Sequence, residues 1–362
     1  MCLSWMDWSF KNIDESGRIE RSSVMNAAVR KREVWVDYLK AVACLSVLTF
    51  HVIYGLQNAG LPCGMVLTVV KEFCGLFQIP AFMFASGYLF SKKPIGNYFK
   101  FEGRKLLNLG VPYIVFSAVY YFVNVSFSSS VNFTYTPKDL IGIYMTPLAQ
   151  YWYIFATILI FLFLPILELV IRNEFILLAF LITWKVVNSY YLSYTNFDYF
   201  FSQYAFYFYL GVLYGRHHES LSVKKDKVTN VIPVMVLCIG VFGSRYFFDW
   251  QSMTPIIEIF IPILTTYLFV YLFEVYEKKV ENKFLKVVAK YSFQIYLLHT
   301  MVTAAMRIIM TKVGVTNQWI QFVVGWGVGL GVTMFVAWFC EKTVVLNVFF
   351  FPERTVKKLT KR

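Results

Sequence analysis

Charge is what this chain has least of. Only 15% of its 362 residues are Asp, Glu, Lys or Arg, against ~25% in soluble domains. Acidic residues are the scarcer kind, 21 against 34 basic, and histidine is down to four. So few charges exclude a surface made for water. The six cysteines show no CxxC spacing, and Cys44, Cys74, Cys238 and Cys340 fall inside apolar stretches. That supports neither a disulfide framework nor a zinc site, and no metal is expected. Low-complexity tracts, a second domain and internal repeats are also lacking. The net charge of +13 is spread loop by loop with no continuous basic groove or motif, so no nucleic-acid partner is expected.

What is plentiful is apolar: 58% of the residues are hydrophobic. They gather into runs of the length an α-helix needs to cross ~30 Å of hydrocarbon. The runs cover 34–57, 65–91, 106–126, 151–171, 175–192, 200–215, 230–248, 256–276, 289–311 and 319–347. The expected fold is therefore all-α, a polytopic transmembrane bundle of about ten helices held by membrane lipid. Orientation follows from Lys and Arg, which are retained on the cytoplasmic side during insertion. One alternate set of segments holds 26 of the 34, the opposite set only Lys138 and Lys312, and six lie within spans. Both termini are thus expected in the cytoplasm.

Three regions follow: a polar lead over 1–33, the transmembrane domain over 34–347, and a basic cytoplasmic tail over 348–362. The lead holds no motif and no signal-type apolar run. Translation is expected to begin at Met25, just before the anchor Arg30, Lys31 and Arg32. The longest outer loop, 127–150, is rich in Ser, Asn, Thr and Tyr. It reads as a plain connection or as a contact for a hydrophilic substrate.

Chemistry is expected where ionisable groups enter hydrocarbon, because each is costly there. Asp37, Lys40, Cys44, Val47 and His51 recur at helical spacing on one stripe of the first span. Lys40 and His51 are eleven residues apart, about three turns and ~16 Å along one face. A shared cavity would be cationic at its inner end and carry an imidazole toward its outer half. Snorkelling is the alternative for Asp37 and Lys40. His299, about ten residues into the ninth span, either completes the site or is tied structurally to a neighbouring helix. Lys71 and Glu72 are adjacent, so at most one is expected to serve the cavity. Arg245 and Arg307 read as interfacial anchors or sugar-lining donors, Glu341 and Lys342 as an interface pair, and His217 and His218 as solvated. Trp152, between Tyr151 and Tyr153, suits an aromatic belt or stacking on a sugar ring.

The sequence resembles the acyltransferase-3 family of bacterial integral membrane acyltransferases. The likeness is carried by Val36-Asp37-Tyr38-Leu39-Lys40 through Phe50-His51, then Pro80-Ala81-Phe82 through Ser86-Gly87-Tyr88, and Arg104-Lys105-Leu106-Leu107 leading to Pro112-Tyr113. It continues in order with Tyr151-Trp152-Tyr153, Tyr209-Leu210-Gly211, Tyr291-Ser292 through Tyr296-Leu297-Leu298-His299, and Glu341-Lys342. Two departures stand out. Lys40 replaces an arginine common in the family and loses its planar fork, and Arg104 stands where paired arginines are usual. No soluble esterase-like domain follows the last span, so a single acyl-transfer step is expected.

The resemblance implies transfer of an acyl group, usually acetyl, from cytoplasmic acyl-coenzyme A to a hydroxyl of a cell-surface or lipid-linked carbohydrate. It implies a multi-pass protein of the cell membrane. Lys40, Arg104 and Lys105 would pair with the donor's phosphates. His51, with His299 as second candidate, would serve as general base or as covalent acyl carrier. Asp37, Trp152 and Tyr296 are candidate substrate contacts. A transporter or flippase of lipid-linked saccharides is the rival reading; it would favour paired repeats with matched Gly or Pro breaks.

Overall fold

The computed structural model describes residues 33–92, 98–128, 131, 133–191, 197–218, 231–247, 254–276, 281–352 and 355. The start expected at Met25 and most of the basic tail lie outside the described residues. Every regular element among the described residues is helical. In chain order these are α1 (Val34–Asn58), α2 (Met65–Ser91), α3 (Tyr98–Ser126), the short α4 (Pro137–Ile141), α5 (Trp152–Val170) and α6 (Glu174–Tyr191). There follow α7 (Phe197–Arg216), α8 (Val231–Phe247), α9 (Thr254–Tyr276), α10 (Lys283–Lys312), α11 (Gln318–Lys342) and the single turn α12 (Val344–Asn347). Six of the helical segments are long and apolar enough to cross a membrane.

Short polar side chains set several boundaries. Asn173 Oδ1 accepts from Phe175 N and Ile176 N at the start of α6. Asn282 does so from Leu285 N for α10, and Asn317 from Trp319 N and Ile320 N for α11. Each cap satisfies amide donors that the first turn leaves over. Gly60 and Gly314 make the tight turns after α1 and α10 with φ of 67° and 83°, where a Cβ would be strained. Three helices depart from the hydropathy boundaries by five residues or more. α3 begins at Tyr98 rather than 106, α10 at Lys283 rather than 289, and the last long helix stops at Lys342 rather than 347. At α3 and α10 backbone hydrogen bonding continues through the basic leads that precede the apolar run, whereas the last run is broken at Thr343 into α11 and the single turn α12.

α7 is the hub, packing against α2, α5 and α6, while α10 packs along α11 and α8 along α9. The α2–α7 crossing is the tightest. A Cβ built on Gly87 would fall 1.8 Å from Phe208 O, and one on Gly211 2.0 Å from Phe84 O. Only glycine at both positions lets the two backbones approach this closely, the small-residue packing that replaces hydrophobic drive between helices in lipid. α1 is tied to the rest by side chains. Trp326 Nε1 donates to Thr49 Oγ1 at 3.0 Å, Cys44 Sγ to Ser292 O at 3.7 Å, and Asn282 N to Tyr38 Oη at 2.7 Å.

Candidate functional site

Alternating apolar helices expose their ends in two sets, and one set surrounds a cavity of about 880 Å³. Its wall comes from the C-terminal turns of α1, α3, α6 and α10 and the N-terminal portions of α2, α5, α7, α9 and α11. These ends therefore share one side of the bundle. The 127–150 segment lies on that side too, and contributes Val131, Phe133, Tyr135, Ala149 and Gln150 to the wall. It is part of the site as well as a connection.

His51 lines the cavity, seven residues from the end of α1, ~10 Å in. His299 of α10 sits behind it, fully buried, with ring centroids 5.0 Å apart and the planes at 59°. The Nδ1 of His299 lies 2.8 Å from Tyr296 O and 3.0 Å from Ile295 O. Carbonyls only accept, so Nδ1 carries the hydrogen and the lone pair of the neutral ring is on Nε2. That Nε2 is buried without a protein hydrogen-bond partner. The sequence left open whether His299 completes the site or is tied to a neighbouring helix; its Nδ1 is tied to carbonyls of its own helix, and its ring sits beside His51 behind the residues that line the cavity.

The floor next to this pair is strapped in place. Tyr151 Oη donates to Leu297 O at 3.0 Å, and Tyr296 Oη donates to Gln150 O. Ala149, one residue earlier, has φ of 43°, a conformation that costs a non-glycine residue of order 1–3 kcal/mol and persists where surroundings enforce it. The strap holds the Gln150 side chain against the cavity with its Oε1 and Nε2 both lacking a protein partner. Gln78 Oε1, Thr300 Oγ1 and Gln321 Oε1, also in the wall, share that state. Buried polar atoms are normally paired, so their convergence beside His51 suits a ligand rich in hydroxyls.

Trp152 lines the cavity and stacks on Tyr204 of α7, centroids 4.9 Å apart and planes at 27°. Tyr296 also borders it. Among the described residues three cations stand in the wall, Lys71, Lys185 and Arg307, with one carboxylate, Glu72. Lys71 and Glu72 thus both reach the cavity, against the expectation that only one would, because the wall there wraps around more than one face of α2. Arg307 donates to the Gly55 carbonyl, and Lys185, buried, donates to Gln203 Oε1 at 2.7 Å. Lys185 was not singled out from sequence, although a lysine within an apolar run is the signal. The side chain of Arg245 lies outside the described residues.

Asp37, Lys40, Arg104 and Lys105 do not line this cavity. They belong to the N-terminal turns of α1 and α3, the opposite end of the bundle. Asp37 is buried, Lys40 half-buried and Arg104 exposed, and Lys105 Nζ lies 4.5 Å from the Phe161 ring centroid. The same end carries a band of ion pairs. Arg216 meets Glu168 at 2.8 Å and Glu174 at 3.0 Å, clamping α7 to α5 and α6. His217 Nε2 lies 2.7 Å from Glu174, and His218 Nε2 2.9 Å from Glu274, which also accepts from Tyr214 Oη. The two histidines expected to be solvated are therefore engaged by carboxylates of other helices. Glu174 is held below the usual carboxylate range by His217 and Arg216, whose hydrogen bonds and charge outweigh its partial desolvation. Glu341 pairs with Lys290 of α10 at 2.6 Å, while Lys342 Nζ lies 3.9 Å from the Trp338 ring centroid.

Against known proteins, the family model described as an acyltransferase domain matches residues 33–342. No curated protein and no solved structure matches.

Proposed function

Since the chain belongs to the acyltransferase-3 family, we propose that it moves an acyl group, acetyl in the first instance, from cytoplasmic acyl-coenzyme A to a hydroxyl of a cell-surface or lipid-linked carbohydrate. In this reading the ten long helices all span the cell membrane, both termini are cytoplasmic and the cavity faces outward. The observation that carries it is His51 in the wall of the cavity, backed by His299, with the unpaired amide atoms of Gln78, Gln150 and Gln321 and the Thr300 hydroxyl in the same wall.

Lys40, Arg104 and Lys105 supply cations at the far end, the side where a phosphorylated donor would arrive. The separation of about 16 Å between Lys40 and His51 along α1 leaves the thioester end of the donor to approach the imidazole. His51 accepts the proton of the sugar hydroxyl as the oxygen attacks the thioester carbonyl. A C–O bond forms, the C–S bond breaks, and the proton passes from the imidazolium to the departing thiolate, leaving an ester and free coenzyme A. Positioned proton transfer of this kind contributes ~10²- to 10⁴-fold. His299 packs against the His51 ring with centroids 5.0 Å apart and so limits its orientation, its own ring being fixed by the Nδ1–H bonds to Ile295 O and Tyr296 O.

The test is acyl-coenzyme A turnover by purified protein in nanodiscs with carbohydrate acceptors. His51→Ala should insert and accumulate normally yet lose transfer. Wild-type transfer by His51→Ala would remove the histidine from the mechanism, and no transfer by the wild-type protein would favour the transporter reading. Cysteine labelling should reach residues within 127–150 from outside and those near 92–105, 216–229 and 277–288 only from inside; external labelling of 216–229 would overturn the orientation.

A further inference from the structure

Two kinds of polar group meet in the outer cavity. The neutral kind, Gln78, Gln150, Thr300 and Gln321, would serve any sugar. The charged kind is unbalanced among the described residues: Lys71, Lys185 and Arg307 against Glu72. Cations in a partly enclosed, low-dielectric wall act on an incoming charge far more strongly than the same groups in water. Nor are these three the retained cytoplasmic charges that orient the helices, since they lie at the end opposite the basic loops.

Their placement is built rather than incidental. Lys71 of α2 donates to Gln57 Oε1 of α1, and Gln57 is held in turn by donating to Thr68 Oγ1 at 3.2 Å. Arg307 of α10 is fixed to the Gly55 carbonyl, one turn beyond His51. A Cβ on Gly55 would lie 3.3 Å from Arg307 Nη1, so glycine there gives the guanidinium its room. Both cations are thus anchored to the last turns of the helix that carries His51.

Resting on the acyltransferase reading, we infer that the acceptor is an anionic carbohydrate, one whose carboxylate or phosphate is held by Lys71 and Arg307 while a neighbouring hydroxyl lies at His51. A carboxylated sugar and a phosphorylated one offer the same chemistry to these side chains. The anion would orient the acceptor ring as well as attract it, because its distance from the reacting hydroxyl selects which hydroxyl meets the imidazole.

Binding tests this independently of turnover. Wild-type protein in phosphatidylcholine nanodiscs is titrated with a glucuronate-containing oligosaccharide, with its carboxyl-reduced neutral twin, and with the neutral sugar carrying a phosphomonoester. The anionic forms should bind tenfold or more tightly than the neutral twin, and whichever of the two binds more tightly identifies the natural anion. Lys71→Gln should cut that preference at least threefold, and Lys71→Glu should abolish it. Arg307→Lys, which keeps the charge, should retain more of it than Arg307→Gln. Equal binding of charged and neutral sugars, or no binding of either, overturns the inference. So does Lys71-dependent binding seen only with phosphatidylglycerol in the nanodisc, which would make the cations a lipid headgroup site. Transfer of acyl groups to the neutral twin without charge preference would sink the inference and keep the acyltransferase; charge preference without any transfer from acyl-coenzyme A would do the reverse.

Discussion

The two ends of the bundle treat polar groups in opposite ways. At the end holding Arg216, charges are spent on one another: Arg216 with Glu168 and Glu174, His217 with Glu174, His218 and Tyr214 with Glu274. At the cavity end, Gln78, Gln150, Thr300, Gln321 and His299 each keep a buried polar atom with no protein partner. Charged and polar side chains thus pair off across helices at one end, while at the other several lie at the cavity without a protein partner. Satisfied networks rigidify, whereas unsatisfied buried atoms carry a desolvation cost that a ligand can relieve.

The sharpest way to break the contrast is at His51. His51→Ala should lower acyl transfer by ~10²- to 10⁴-fold with unchanged thermal unfolding, measured by turnover and by differential scanning on the same sample. A large loss of stability would mean that the cavity end is clamped too. Next comes Lys40, at the clamped end yet assigned to the donor. Lys40→Ala should raise the KM for acyl-coenzyme A roughly tenfold with little change in kcat, and Lys40→Arg should recover most of it. A kcat effect without a KM effect would detach Lys40 from donor binding.

A smaller effect is expected at the clamp itself. Arg216 is partly exposed, so screening limits its two pairs to about 1 kcal/mol in total. Arg216→Ala should lower the unfolding temperature by a few degrees while each folded molecule turns over normally; unchanged stability would show that packing at the Gly87–Gly211 crossing suffices.

Smallest of all is the cap of α4 in the outer segment. Asp139 Oδ2 accepts from Thr136 N and Oγ1, both at 2.7 Å, and these bonds depress its carboxyl pKa. A depressed carboxylate contributes stability that is present above its unfolded pKa and lost as pH falls through the folded one. Asp139→Asn should therefore cost under about 1 kcal/mol near neutral pH, and the difference from wild type should vanish in acid. A difference that grows in acid would contradict the assignment.

Much of this was legible in the sequence because a helix needs no partner to declare itself. Apolar run length placed the ends of α1 and α2 to within one residue, and the cost of an ionisable group in hydrocarbon pointed to His51. Periodicity reports which face a residue occupies and not which helix that face meets. It could not join His51 to His299, nor gather Gln78, Gln150, Thr300 and Gln321 from four separate elements. It also suggested one cavity reaching Lys40, where the structure has a cavity that Lys40 does not line. His218 looked solvated for the same reason: its partner, Glu274, is 56 residues away.

The glycine crossing of α2 and α7 carries a consequence in time. Gly87 and Gly211 are 124 residues apart in the chain, and ribosomes add ~5–20 residues per second. For roughly 6 to 25 seconds α2 must wait in the bilayer with its glycine face unmatched before its mate emerges. During that interval nothing in the nascent chain can make the approach that the finished bundle depends on. An insertion partner that shields the small-residue face of α2 would therefore matter most early in synthesis, and a chain truncated before α7 would present that face to whatever other helix the membrane offers.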